Sequence, residues 1–592
     1  MKLHIWVPLT VLLTLIANPF ASDATAQSRA SRELAELFER EWENRLEEDP
    51  LFATRVGDHR YDDELPSVSP GDFDRRLKDA RDFLRRVQSI DREDLTQSER
   101  IDARLFEHLM RDRVAEYTFR SHLIPITNRE GFHVEFPQLP EIMPLASVED
   151  YENYISRLER FVEYAEQNIE LMREGIDEGM TLPKVVLEGY EATLEPHIVE
   201  DPTESLLFAP FESFPDAIPA GERERLTRRG RKAVAESVVP GYRAFLDFMR
   251  DEYYPAARDE IAAVELPNGQ AFYEHRVRHF TSLDLTPPEV HSVGLVEVRR
   301  IRQEMEQILG EVGFENDLHG FIQFLREDER FYVSDPEELL RRTSLILKRM
   351  DGRLPEMFKT LPRLPYGIRE IPDYIAPKTT AAYYSPGAGD GSRAGYYNVN
   401  TYDLASRPLY QIEALSFHEA VPGHHLQIAL QQEIETLPPF RRFAGFTAFV
   451  EGWALYAERL GKEVGFYTDP YAEFGRLSYE MWRACRLVVD PGIHYIGWTR
   501  QQAIDFMAEN TALSLHNIEA EVDRYIAWPG QAVAYKMGEL KIRDLRRRAE
   551  SQLEDRFNLR EFHDVVLMDG AVPLDVLEQN VDAYIERVKS GG

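Results

Sequence analysis

The stretch Leu415-Ser416-Phe417-His418-Glu419-Ala420-Val421-Pro422-Gly423-His424-His425-Leu426-Gln427 places three histidines and a glutamate within eight positions, around a proline-glycine pair. Ile412, Leu415 and Ser416 before it suit a helix, as do Leu426, Ala429 and Leu430 after it. A histidine-glutamate pair followed by another histidine on the same helix is how zinc hydrolases hold their metal: neutral imidazoles ligate, and the glutamate faces the water to be activated. The usual H-E-x-x-H spacing puts the ligands one turn apart. Here the residue four after His418 is Pro422, which cannot ligate, and the next histidines lie six and seven residues on. In an undistorted helix seven residues rise ~10.5 Å, too far to share one ion. Pro422 offers no backbone N–H and clashes with the preceding turn, and Gly423 can adopt angles closed to other residues. Together they predict a break that returns a later histidine to the level of His418. Gly423-His424 matches the Gly-His ending of an H-E-x-G-H form with two residues inserted, which favours His424; His425 stays open as the second ligand.

A zinc hydrolase needs a third protein ligand and an open fourth position. The apolar helix that runs from Phe446 through Trp453 carries two acids, Glu451 and Glu458, two turns apart. A carboxylate in such a setting is costly to bury unless paired or metal-bound. Glu451 follows the histidines by about 30 residues, enough for a turn and a returning helix, and is assigned as third ligand. Glu458 and Glu413 are candidates to orient a ligand histidine; exposed helix charges explain them equally well. Donors for a developing oxyanion come from further on: His494 and Tyr535 have the right chemistry. Arg486, Arg524 and Lys536 could bind a substrate carboxylate. For all five, helix packing or surface exposure is an equal competitor.

Composition narrows the partners. The chain has 592 residues, 43% hydrophobic and 11% aromatic, which excludes disorder over its whole length. One cysteine, Cys485, excludes a disulfide framework. Acidic residues outnumber basic ones 104 to 70, a net charge of −34 that repels nucleic acid and anionic lipid. Only about 11 of the basic residues are lysine, a balance compatible with salt tolerance. At the N-terminus, Lys2 and His4 precede an apolar run over residues 5–17, followed by Ala24-Thr25-Ala26. This reads as a secretory signal peptide over residues 1–26, too short to span a bilayer, with no cysteine near the cut for a lipid anchor. The expectation is export to the periplasm or beyond.

Helical periodicity dominates the rest. Leu34, Leu37, Phe38, Trp42 and Leu46 line one helix face within residues 31–48. Thr96-x-x-Glu99 and Thr286-Pro287-Pro288-Glu289 are capping boxes; residues 147–174 and 222–254 also read as helices. The segment 361–391 is rich in proline and glycine, and beside it residues 379–384 and 394–401 have β-type composition, predicting a small hairpin. The reading is a mainly α body of two packed halves, a helical half at 27–370 and a half holding the chemistry at 371–592.

The motifs taken together resemble a bacterial family catalogued as domain of unknown function 885: His418 through His425, Glu451-Gly452-Trp453-Ala454, Asp490-Pro491-Gly492-Ile493-His494, Trp528-Pro529-Gly530-Gln531-Ala532 and Tyr535-Lys536-x-Gly538, supported by residues 273–281 and Asp284-Leu285-Thr286-Pro287. That family in turn resembles the mainly helical zincin-like peptidases of the angiotensin-converting-enzyme, thimet-oligopeptidase and thermostable-carboxypeptidase types. The resemblance implies a deep channel between two helical halves and a short sheet near the zinc, with residues 394–401 as the strand able to pair with substrate backbone. It implies a peptidase for short peptides, with Zn2+ on His418, His424 and Glu451 and with Glu419 as general base. Two other classes stay open at this stage: a zinc hydrolase of non-peptide amides or esters, and a non-catalytic binding protein on a peptidase scaffold. Peptide specificity, endo- versus exo-cleavage and oligomeric state are not legible.

Overall fold

Helix signals in the sequence become helices where the caps predict them. The computed structural model describes residues 28–315, 317–372, 375–389 and 391–591; the signal-peptide reading falls outside them. Helix α1 (Arg29–Glu48) starts on Ser28, whose side chain accepts from the Ser31 N–H, and buries Leu34, Leu37, Phe38 and Leu46. Helix α2 (Gln97–Thr118) opens on the Thr96/Glu99 capping box. Helix α3 (Val148–Glu178) has a box of its own in Ser147/Asp150 and stops at Gly179, which takes the left-handed conformation at φ 75°. Helix α4 (Gly269–Thr281) leads into α5 (Pro287–Glu311), whose box is Thr286/Glu289 with prolines in the first turn. Each box satisfies amide groups that a helix start leaves without partners.

Strands β1 (Tyr366–Glu370), β2 (Ala382–Ser385) and β3 (Gly395–Val399) form the sheet, in the order β1-β3-β2. The expected hairpin is there: β2 runs antiparallel to β3, with Ala382 opposite Val399. A third strand is added, β1, parallel to β3 with Tyr366 beside Gly395. It lies within the proline-rich boundary segment, is short and only half-buried, and so lacks the alternation that marks a strand. Its pairing corrects one implication of the resemblance. Strand β3 is central, so both its edges are hydrogen-bonded and cannot take a substrate strand; the free edges belong to β1 and β2.

Helices then resume: α6 (Ile412–Glu419), α7 (His424–Glu433), α8 (Thr447–Glu463), α9 (Pro470–Pro491) and α10 (Ala534–Leu553). Helices α8 and α10 touch backbone to backbone. A Cβ on Gly538 would sit 1.7 Å from the Ala448 carbonyl oxygen, so only glycine allows this approach. The hydrophobic interior forms two large clusters that ignore the boundary at residue 370. One joins side chains from Ile126 to Phe331 with Tyr410 and with side chains from Phe474 to Ala532. The other joins Ala30 to Met110 with Phe280 and with side chains from Leu339 to Ile585. Both ends of the chain thus contribute to the second cluster. Among the described residues no helix is long and apolar enough to cross a membrane.

Candidate metal centre

Helix α6 ends at Glu419 and α7 begins at His424, so the predicted break falls at Pro422-Gly423. The Val421–Pro422 peptide is cis. Trp453 of α8 clamps the turn by donating its indole N–H to the Pro422 carbonyl at 2.9 Å. Gly423 is required because of close packing, since its φ of −79° is not left-handed. A Cβ there would lie 1.9 Å from the His418 carbonyl oxygen. Gly423→Ala is therefore expected to move α7 away from α6, abolish stoichiometric metal binding and cost about 2–4 kcal/mol of stability; urea unfolding and metal analysis on the same preparation check this.

The break brings His418 and His424 together, with ring centroids 4.8 Å apart and planes near perpendicular. Helix α8 returns Glu451 between them: its Oε2 lies 3.5 Å from His418 Nε2 and 3.4 Å from His424 Nε2. One ligand atom from each residue falls within 4.8 Å of the other two. Tetrahedral zinc with N and O ligands sets such edges at about 3.3 Å, so the three side chains fit a divalent ion. Glu451 Oε2 and His424 Nδ1 are both buried without a hydrogen-bond partner, an arrangement costly for polar atoms unless an ion satisfies the carboxylate. Burial works against the charged form of Glu451, but His424 and His418 hold its carboxyl well below the usual range. Burial also disfavours the His418 imidazolium, yet Glu451 and Glu458 outweigh it and raise the pKa to about 9.

Behind the cluster, Glu458 Oε1 sits 2.8 Å from His418 Nδ1. This fixes the ring and aims Nε2 at the centre, as carboxylates behind metal-ligating histidines do. Glu458→Gln should weaken zinc binding by about 10–100-fold with little change in fold, measured by competition with a chelating dye. Glu413, the other candidate for this role, faces elsewhere and accepts from the Tyr467 backbone N–H at 2.9 Å. His425 points away from the centre. Its Nδ1 is 2.8 Å from the Tyr384 hydroxyl on β2, its ring packs 4.8 Å from that of Tyr366, and burial lowers its pKa to about 4.

A model of the family described as "Bacterial protein of unknown function (DUF885)" matches residues 50–581. The chain belongs to this family. No curated protein matches it. Among solved structures, the DUF885 chain is similar to one described as a "putative lipoprotein" from Colwellia psychrerythraea, at 29% identity and a TM-score of 0.91, over 95% of this chain and 100% of that one. A "putative lipoprotein of unknown function" from Shewanella oneidensis shares the fold at 19% identity and a TM-score of 0.69, over 92% of this chain and 99% of that one. The one cysteine of this DUF885 chain, Cys485, is buried within α9.

Four of the other residues predicted from the sequence, His494, Lys536, Arg486 and Arg524, are engaged by partners outside the centre. His494 is fully buried, with Nε2 2.9 Å from the Tyr525 carbonyl and Nδ1 accepting from the Ala263 N–H; burial lowers its pKa to about 3. With both nitrogens engaged it has no donor to spare for an oxyanion. Lys536 has no exposed side-chain surface and is enclosed by Glu297, Glu480 and Glu539 at 2.8–3.2 Å. Arg486 is buried against Trp482 and Tyr535 and pairs with Glu521 at 3.1 Å. Arg524 pairs with the same carboxylate and with Gln531. The Tyr535 hydroxyl lies 3.4 Å from the Gln531 amide and 3.5 Å from Arg524. These cations are neutralised inside the body, Arg524 by an acid three residues away and Arg486 and Lys536 also by acids far away in sequence.

Two tyrosines that the sequence reading missed lie within electrostatic reach of Glu419. Tyr397 of β3 and Tyr479 of α9 are buried phenols that feel the Glu419 charge, and burial raises the pKa of both. Tyr479 also lines a cavity of about 1350 Å³ together with Trp482, Tyr332, Tyr410, Arg326 and Arg407. The three metal candidates do not themselves line it; a separate narrow crevice shares Arg407 and Tyr479 with it and is also lined by Tyr397 and by Leu415 of α6. No periodicity marks Tyr397 or Tyr479, because the tyrosines of a strand and of a packed helix look alike in sequence whichever way they face.

Proposed function

We propose that this DUF885 protein is an exported zinc-dependent peptidase acting on short peptides. The observation that carries the proposal is the convergence of His418, His424 and Glu451, with Glu419 next in sequence to the first ligand and Glu458 behind it. A divalent ion held there supplies an acidified water and a Lewis acid for the scissile carbonyl. Glu419 is buried beside the centre and its charge reaches His418 and Tyr397; it takes the proton and returns it to the leaving amine. Tyr397 and Tyr479, the buried phenols that feel the Glu419 charge, take the role of oxyanion donors, a role that His494, with both ring nitrogens engaged, cannot fill.

The cavity supports a peptide substrate. Arg326 donates to the carbonyls of Thr511, Ala512 and Leu513, and Arg407 to those of Asn400 and Ser406 and to the Ser406 hydroxyl. Neither has a carboxylate partner among the described residues, so the positive charge at this wall suits a peptide's free carboxylate. Export rests on the N-terminal reading and on the lipoprotein description of the two structural neighbours. The test is a peptide-library digest alongside metal analysis. One equivalent of zinc, cleavage of short peptides and loss of cleavage with chelator are expected. A folded, zinc-loaded protein that cleaves no peptide but hydrolyses simple esters or amides would overturn the peptidase reading, and absence of stoichiometric zinc would overturn the metal centre.

A further inference from the structure

Far from the candidate centre in sequence, two helices face each other with a second set of metal-ligating side chains. Helix α2 presents His108, Asp112 and Glu116 at steps of four, and α4 presents His275 and His279, also four apart. Four-residue spacing puts side chains on one helix face a turn apart, which is the histidine spacing that residues 418–425 lack. Asp112 lies between the two imidazoles of α4. Its Oδ2 is 2.7 Å from His279 Nδ1 and its Oδ1 is 3.8 Å from His275 Nε2. One ligand atom each from Asp112, His275 and His279 lies within 4.8 Å of the others.

The two carboxylates of this α2 face have different partners. Glu116 is matched by Arg276, whose Nη1 lies 3.0 and 2.9 Å from its two oxygens, and it also contacts His275 Nε2 at 2.8 Å. Asp112 has no arginine or lysine partner among the described residues; its only ionic neighbours are the two histidines. This carboxylate therefore lies between two imidazole nitrogens, a donor set that suits a divalent ion. His108, one turn before Asp112, adds a third imidazole close enough to feel both Asp112 and His279. Asp112 and His279 are 21% and 29% exposed, which leaves an ion a path from solvent.

We propose that Asp112, His275 and His279 form a second divalent-metal site that staples α2 to α4. Two imidazoles and one carboxylate select a borderline first-row ion such as zinc over calcium or magnesium. The 2.7 Å His279–Asp112 contact opens to about 3.3 Å when both ligate one ion, a shift of less than an ångström. Glu116, held by Arg276, contacts the same His275 Nε2 at 2.8 Å, so it lies beside the ion's position and either releases that nitrogen or joins as a further ligand. The staple has structural purpose, because α4 joins two hydrophobic clusters: Phe280 packs in the cluster of Leu105, Phe106 and Met110 of α2, and Phe272, Tyr273 and Val277 belong to another.

The experiment uses the full chain with His418→Ala and His424→Ala, which removes the first centre. Equilibrium dialysis against zinc with elemental analysis should find one equivalent bound, and the melting temperature should rise with zinc. Adding Asp112→Asn, which keeps the side-chain shape, should raise the Kd by at least about 100-fold and erase the thermal shift; His279→Gln serves as a second variant, and circular dichroism confirms the fold of each. A folded background protein that takes up no zinc at micromolar free metal overturns the site and leaves simple histidine-aspartate pairing. Uptake that is unchanged by Asp112→Asn and by His279→Gln overturns it equally. Neither result depends on peptidase activity.

Discussion

Glu419→Gln is expected to keep one equivalent of zinc while peptide turnover falls about 10²–10⁴-fold, the range that a positioned general base contributes. Glutamine preserves the volume and most of the hydrogen-bonding capacity of this buried side chain, so α6 should still end where it does. The ligand atoms of His418, His424 and Glu451 come from other side chains and should stay within the same few ångströms. What disappears is the group that accepts and returns a proton. Single-turnover cleavage of a short peptide, measured beside zinc content, separates the two effects. Undiminished turnover would remove Glu419 from the mechanism; loss of zinc together with turnover would make it a structural support of the centre instead.

The second large effect separates neighbouring histidines. His424→Ala should lower zinc affinity by at least about 100-fold and reduce cleavage to background, because it removes a ligand outright. His425→Ala should retain zinc, since the wild-type ring faces the Tyr384 hydroxyl and the Tyr366 ring on the sheet. Its cost is one of packing and a lost hydrogen bond, roughly 2–4 kcal/mol for a buried ring. Zinc titration and thermal unfolding of the two variants side by side test the assignment; the reverse pattern would move the second ligand to His425.

Much of the centre was legible from local chemistry. Residues 418–425 announce a metal motif by residue type, and Pro422-Gly423 announces that its spacing must be interrupted. Glu451 was readable as an acid stranded in an apolar helix. The structure adds why the break works: Gly423 nearly touches the His418 carbonyl, and Trp453 holds the turn from the next helix. The reading failed where a charged or polar residue had two equally good fates. His494, Arg486, Arg524 and Lys536 carry the chemistry of a site, yet each is matched inside the body: Arg524 by Glu521 one turn away, Arg486 by the same Glu521 from 35 residues away, and Lys536 by Glu480 from 56 residues away. The third strand failed for a related reason. Residues 366–370 are held by pairing to β3 across an intervening segment and not by any pattern of their own.

Sequence alone was enough for the mainly helical class, the starts of the capped helices, the break in the histidine motif and His418 and Glu451 as members of the candidate centre, because each follows from interactions within a few residues or from one residue type in an unfavourable setting. Only the tertiary structure decided which histidine of the 424–425 pair turns inward, which carboxylate supports His418, which cations are silenced by buried acids, and that α2 and α4 face each other through Asp112. Those outcomes depend on side chains tens to hundreds of residues apart meeting in one place, and no local pattern encodes the direction in which a helix presents its face.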